Sequence, residues 1–144
     1  MTLLPALDGT FGDAADAVVV DGAATSWEQL AARADALADR FAGAAMVAVP
    51  GTPTLDTLVA VVAGLRSGTP IVPIASDAGP TERAHILRDS GAELIVGDPD
   101  WPETDLPRVG SGAARSTTGT RRESAVPDPE APALVMYTSG TTGL

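Results

Sequence analysis

The sequence predicts an α/β fold in which βαβ units form a mainly parallel sheet flanked by helices. Three observations carry this. Short apolar runs recur at residues 46–49, 71–74, 93–96 and 133–137. The stretches between the first three show helical periodicity. Each such stretch is opened or closed by Ser, Thr, Pro or Gly. Strands alternating with helices at this spacing imply parallel pairing through crossover helices.

Val18-Val19-Val20 is a β-branched run followed by Asp21-Gly22, a turn signal. Ser26 with Gln29 then fits a capping box, each side chain satisfying a free amide of the first turn. Leu30, Ala34, Leu37 and Phe41 recur on one helical face, and Gly43 suits the exit. After the strand at Met46–Val49, Thr52-Pro53 opens a second helix with Pro at its first position, where no amide is needed. Leu55, Leu58, Val59, Val62 and Leu65 form its expected buried face, and Gly68 ends it.

Ile71-Val72-Pro73-Ile74 is the second strand of the series. Pro73 removes one ladder donor, which predicts a strand end or edge. A third helix spans Pro80–Ser90 and stops at Gly91, and Glu93–Val96 is a third strand. From Asp98 to Pro132 loop formers dominate, with one short strand expected near Leu106–Val109. Ala133–Tyr137 is the last strand and delivers the chain into Thr138–Gly143.

Composition narrows the function. The chain has 144 residues, 44% hydrophobic and 19% charged, the profile of a folding chain. Its length suits one domain. Nineteen acidic against nine basic residues, a formal charge of −10, argue against nucleic-acid binding. All basic residues but the lone His85 are Arg; there is no Lys and no Cys. Disulfides, thiolate catalysis and Schiff-base chemistry are thereby excluded. The first Arg is Arg33, so no basic segment opens a secretory signal. The longest apolar run, Leu58–Leu65, is far short of the ~20 residues a membrane span needs. These features predict a cytoplasmic protein without a membrane span.

Thr138-Ser139-Gly140-Thr141-Thr142-Gly143 carries the chemistry. Gly140 and Gly143 allow a tight turn and close approach to a ligand. Successive amides in such a turn form a nest for an anion. Thr138, Ser139, Thr141 and Thr142 add hydroxyls that donate and accept. A polyphosphate is the natural guest, although the segment is not a Walker A loop, since Gly-Lys-[Ser/Thr] is missing. The plainer alternative is a Ser/Thr/Gly linker, which the apolar strand just before it disfavours.

Other residues point to packing or solvation rather than chemistry. His85, with Glu82 and Asp89 at helical spacing, falls short of the convergent ligands a metal needs. Gly110-x-Gly112 has Arg115 where a dinucleotide fingerprint needs Gly. Ser139 has no visible His/Asp partner and is not a nucleophile candidate. Trp27 reads as a packing residue, and Arg121-Arg122 as a solvated pair. No catalytic residue and no metal ligand is expected within the chain.

Leu134-Val135-Met136-Tyr137-Thr138-Ser139-Gly140-Thr141-Thr142-Gly143 resembles the phosphate-binding signature of the AMP-forming adenylating enzymes. That group comprises acyl-CoA synthetases, luciferases and peptide-synthetase adenylation domains. Thr25-Ser26-Trp27-Glu28-Gln29-Leu30 resembles the family's early Thr-Tyr-x-Glu-Leu motif, with Trp27 where Tyr is usual. Leu65-Arg66-Ser67-Gly68-Thr69-Pro70-Ile71-Val72-Pro73 resembles its Leu-Lys-Ala-Gly-x-x-x-x-Pro motif, with Arg66 at the usual Lys position. The residues from Glu82 to Ala92 read like the family's next helix. The finer likeness, from the short N-terminus and Asp89-Ser90-Gly91-Ala92, is to acyl-CoA synthetases of the malonyl-CoA synthetase-like branch.

The resemblance implies that residues 1–144 are an incomplete N-terminal subdomain of the family's large N-terminal domain, with a loop-rich excursion at 98–132 and a truncated phosphate-binding loop at 138–143. It implies two half-reactions. A small carboxylic acid attacks the α-phosphorus of ATP with Mg2+, giving an acyl-adenylate and pyrophosphate. Coenzyme A then displaces AMP to give the thioester. Thr138, Ser139, Gly140, Thr141, Thr142 and Gly143 would bind the phosphates. The family continues this motif with Pro-Lys-Gly, and its later catalytic Lys cannot come from a chain without Lys. The chain alone is therefore expected to be inactive and, with sheet edges exposed, marginally stable. The alternatives are a non-catalytic pseudoenzyme or interaction module, a fatty acyl-AMP ligase, a peptide-synthetase adenylation domain, or a nucleotide-binding domain of unrelated fold.

Overall fold

The computed structural model describes residues 3–41, 43–111 and 127–138. Its centre is a four-stranded, all-parallel sheet. The strands are β3 (Val47–Gly51), β4 (Ile71–Ala75), β5 (Leu94–Val96) and β6 (Arg108–Val109), in the spatial order β4-β3-β5-β6. Helix α2 (Leu55–Ser67) connects β3 to β4, and α3 (Pro80–Asp89) connects β4 to β5. A separate hairpin of β1 (Val18–Val20) and β2 (Ala23–Thr25) precedes α1 (Trp27–Ala38). A short 3-10 turn at Pro5–Asp8 lies before the hairpin.

The period of two along each strand divides the molecule into two cores. Val47, Val49, Ile71, Leu94 and Val96 face one way and pack with Leu30, Leu37, Phe41 and Val59 from α1 and α2. Ala48, Val72, Ile74 and Ile95 face the other way and pack with Ile86 and Leu87 of α3 and with Trp101. Strands buried on both faces have to be apolar throughout, as β3, β4 and β5 are.

Most expected elements are present, with shifted ends. The capping box of α1 is complete: the Gln29 amide donates to Ser26 Oγ at 3.2 Å and the Ser26 amide to Gln29 Oε1 at 3.0 Å. Leu30, Ala34, Leu37 and Phe41 are all buried. The helix ends at Ala38, so Gly43 (φ +80) lies beyond a further turn and is not its cap. The Asp21-Gly22 turn places both residues at positive φ. That matches the type I′ geometry of a two-residue hairpin and accounts for β2, which has little strand propensity of its own in Ala23-Ala24-Thr25.

Two expectations about α2 need correction. Pro53 is not the first helical residue. Thr54 caps the helix instead, its Oγ1 accepting from the Thr57 amide at 3.3 Å, a bond that a helix begun at Pro53 would forgo. The buried face is also rotated. It is Val59, Ala60, Val62, Ala63 and Gly64, while Leu55, Leu58 and Leu65 are half-buried. Small residues let α2 lie close to the sheet, and a Cβ at Gly64 would sit 2.4 Å from Ile71 Cγ1. Close approach outweighs side-chain size in choosing the face.

Candidate functional site

The candidate site begins where the sheet loses its hold on residues 133–138. Ile71 donates its amide to Ala133 O at 3.0 Å and accepts from the Val135 amide at 2.9 Å, forming one parallel bridge between Ile71 and Leu134. The expected strand at Ala133–Tyr137 is thus reduced to that bridge. The reason is Pro73. The Ile71 amide points away from β3, and by alternation the nitrogen of residue 73 does too. Continuing the ladder would require Pro73 to donate to Val135 O, and it has no N–H. The expectation that Pro73 marks an edge is met in this form.

Side chains then take over from the main chain. Val135 and Tyr137 point into the core on the α3 side. Leu134 and Met136 point the other way and are exposed. The Tyr137 hydroxyl donates at 2.6 Å to Oδ2 of Asp89, the last residue of α3. The Tyr137 ring meets His85 edge-on, with centroids 6.4 Å apart. The hydrogen bond to Asp89, helped by partial burial and the carboxylate charge, pushes the Tyr137 hydroxyl up to about 12. This latch was not legible in the sequence, because nothing local links positions 48 residues apart.

Of the predicted phosphate-binding residues, Thr138 is described: it is exposed and directly follows Tyr137. Ser139, Gly140, Thr141, Thr142 and Gly143 lie outside the described residues, as do Gly112 and Arg121-Arg122. The parallel bridge shows that the chain runs along β4 toward the carboxyl ends of the strands as it approaches Thr138. That is the side on which open α/β sheets bind ligands.

A second hydroxyl cluster lies beyond β3. Thr52, Thr54 and Thr57 Oγ1 atoms are mutually 3.2 Å apart, and Thr57 Oγ1 donates to Pro50 O at 2.9 Å. These groups satisfy one another and the start of α2. A shallow cavity of about 300 Å3 between α3 and residues 103–106 is lined by Ala84, Leu87, Arg88 and Leu106 among others, without Thr138. Its carboxylate, Glu103, is already ion-paired with Arg83. The described arginines are largely engaged: Arg66 bonds Asp35 at 2.6 Å and Asp8 at 3.3 Å, Arg108 lies 3.4 Å from Asp98, and Arg40 donates to Gly110 O. Arg66, at the position where the resemblance expects Lys, thereby ties α2 to α1 and to the 3-10 turn.

Trp27 packs, half-buried, against the core of α1 and α2. His85 is exposed on α3 beside Tyr137. Among the described residues there is no group of three or more His, Cys, Asp or Glu that could hold a metal ion. Nor is any described helix long and apolar enough to cross a membrane.

Comparison with known proteins gives a consistent picture. A family profile described as AMP-binding enzyme matches residues 10–144. The phosphinothricin tripeptide synthetase PhsB of Streptomyces viridochromogenes is 36% identical over 138 residues, covering 85% of this chain and 11% of that protein. A plipastatin synthase of Bacillus subtilis is 30% identical over 107 residues, covering 67% of this chain and 4% of that protein. A malonyl-CoA ligase solved with methylmalonyl-CoA and AMP bound superposes with a TM-score of 0.75 at 40% identity, covering 98% of this chain and 31% of that one. The chain therefore spans only a small part of the relatives it matches.

Proposed function

The chain belongs to the AMP-binding enzyme family, and we propose that it forms the incomplete N-terminal, phosphate-binding share of an ATP-dependent acyl-CoA synthetase for a small carboxylic acid. The observation that carries this reading is the 40% identity to a malonyl-CoA ligase across 98% of the chain. In it, Thr138, Ser139, Thr141 and Thr142 hold the β- and γ-phosphates of ATP through their hydroxyls. Gly140 and Gly143 serve through backbone conformation, and residues 98–132 are a loop-rich excursion without catalytic part.

Donors of this kind suit adenylation chemistry. As the acid's carboxylate attacks the α-phosphorus, negative charge moves onto the departing pyrophosphate, and fixed donors there stabilise the change. Thr138 fits that role: it is an exposed residue at the end of a segment anchored to β4 and α3. In this reading Mg2+ would arrive with the phosphates. Coenzyme A and the acid would be bound by residues beyond those described. The chain by itself is then an ATP-phosphate binder without turnover.

A second reading is a peptide-synthetase adenylation domain, favoured by the synthetases among the relatives. Pyrophosphate exchange by the whole gene product separates the two. Exchange driven by malonate or methylmalonate, with thioester formation on coenzyme A, is expected. Exchange driven only by amino acids supports the second reading, and no exchange across a panel of small carboxylic and amino acids overturns both in favour of a non-catalytic module. For the 144-residue chain the expected result is MgATP-dependent shifts of the Thr138–Gly143 amides and no thioester.

A further inference from the structure

We propose that Asp89 is a positioning residue for the phosphate-binding segment, acting through Tyr137. The inference rests on the reading of Thr138–Gly143 given above and names what aims that segment. Three observations lead to it. First, the sheet's main-chain hold ends at Val135, because Pro73 has no N–H with which to continue the ladder. Between Val135 and Thr138 the polar anchor is the Tyr137 hydroxyl, which donates to Asp89 Oδ2 at 2.6 Å. The direction in which the chain enters Thr138 is therefore set by one side chain.

Second, that bond is a strong one. A neutral hydroxyl donating to a carboxylate is short and directional. The ring is held besides by His85 at its edge and by the α3-side core, so Tyr137 cannot swing while the bond stays made. Third, Asp89 is poorly placed for its own helix. It is the last residue of α3, where the exposed carbonyls disfavour a negative charge. A carboxylate there works against the helix, and its service to Tyr137 gives it a use. Tyr137 is adjacent in sequence to Thr138, so a displacement of its Cα passes directly to the first phosphate ligand.

Tyr137 is the chain's single tyrosine, which makes the latch separately observable. The experiment compares the wild-type 144-residue chain with Asp89→Asn, Asp89→Glu and Tyr137→Phe. Two readouts are taken on each: tyrosinate absorbance against pH where a tyrosine remains, and MgATP titration of the Thr138–Gly143 amides by NMR. Asp89→Asn is expected to lower the Tyr137 titration from about 12 toward its ordinary 10.0. It should also weaken MgATP binding about tenfold, a difference of ~1.4 kcal/mol. Tyr137→Phe should match that loss, and the double variant should add nothing to it, as expected of two residues acting as one unit. Asp89→Glu should restore most of the binding, which a general loosening of α3 would not allow. Unchanged MgATP binding in Asp89→Asn, with the Tyr137 titration lowered, overturns the proposal and leaves the phosphate reading standing. A wild-type chain whose Thr138–Gly143 amides ignore MgATP overturns the phosphate reading and this role for Asp89 together.

Discussion

Gly64→Ala should destabilise the chain, although alanine is the better helix former. Gly64 lies inside α2 where the helix meets the start of β4. An added Cβ would stand 2.4 Å from Ile71 Cγ1, 2.9 Å from Ile71 Cδ1 and 2.8 Å from Thr69 O. Carbons in contact prefer roughly 3.5–4.0 Å, so Ile71 must retreat by about 1 Å or more. Ile71 is fully buried and cannot rotate out, and the Thr69 carbonyl is main chain. Overpacking of this kind costs about 1–3 kcal/mol, and the rigid neighbours place this site near the upper end. Alanine returns about 1 kcal/mol of helix propensity. The net loss is about 2 kcal/mol, which lowers the thermal midpoint by roughly 4–8 °C for a chain of this size. Circular dichroism melting reads the change. Gly79→Ala is the steric control, since its Cβ would meet nothing within 4 Å; Gly79 is the N-cap of α3, so its cost should stay within the ~1 kcal/mol of a changed cap. The amides of residues 133–135 should also shift in Gly64→Ala, because Ile71 holds them. An equal or higher midpoint in Gly64→Ala would refute the close-approach account of how α2 seats on the sheet.

Other outcomes follow from the same geometry. Ser26→Ala removes the acceptor for the Gln29 amide and should cost about 1 kcal/mol in urea unfolding; no change in the midpoint would mean the box is ornamental. Pro73→Val supplies an N–H on the Val135 side of β4 and should lengthen the ladder, so the new amide should exchange slowly with deuterium rather than at a loop rate. Glu103 is held below the usual carboxylate range by the hydrogen bond from Arg83, aided by its own backbone and the charges of Arg83 and Arg108 and opposed by burial. A depressed acid contributes stability above its unfolded value, near 4.5, and loses it as pH falls through its folded value. Glu103→Gln should therefore lower stability at neutral pH and flatten its fall below pH 4.5, read from urea midpoints across that range.

What could be read in the sequence was what depends on near neighbours. The Ser26/Gln29 box, the Leu30–Phe41 face and the Asp21-Gly22 turn are each written within a few residues, and each is present. The buried face of α2 was misjudged because large residues weigh most in a periodicity, whereas the packed helix chose Ala60, Ala63 and Gly64 to come close. Pro73 was legible as an edge, but its partner was not, since the missing bond belongs to Val135, 62 positions on. The Tyr137–Asp89 latch was hidden for the same reason. The segment proposed to bind phosphate was recognisable by pattern alone, and Thr138 is its described part.

The charge balance decides how such a motif can work. A chain of net charge −10 repels a polyphosphate, and four of the six described arginines, Arg40, Arg66, Arg83 and Arg108, are engaged by Gly110 O, Asp8, Asp35, Glu103 and Asp98. With no Lys in the sequence, the proposed attraction at Thr138–Gly143 is expected to come chiefly from hydroxyls and amides, neutral donors whose reach is that of a hydrogen bond. Salt distinguishes this from ion pairing. Screening over about 8–10 Å weakens long-range repulsion while leaving short neutral contacts almost untouched. MgATP binding to the 144-residue chain should thus hold steady or tighten as sodium chloride rises from low to physiological strength. A steep loss of affinity with salt would show that arginine charge, not the hydroxyl-rich segment, holds the phosphates.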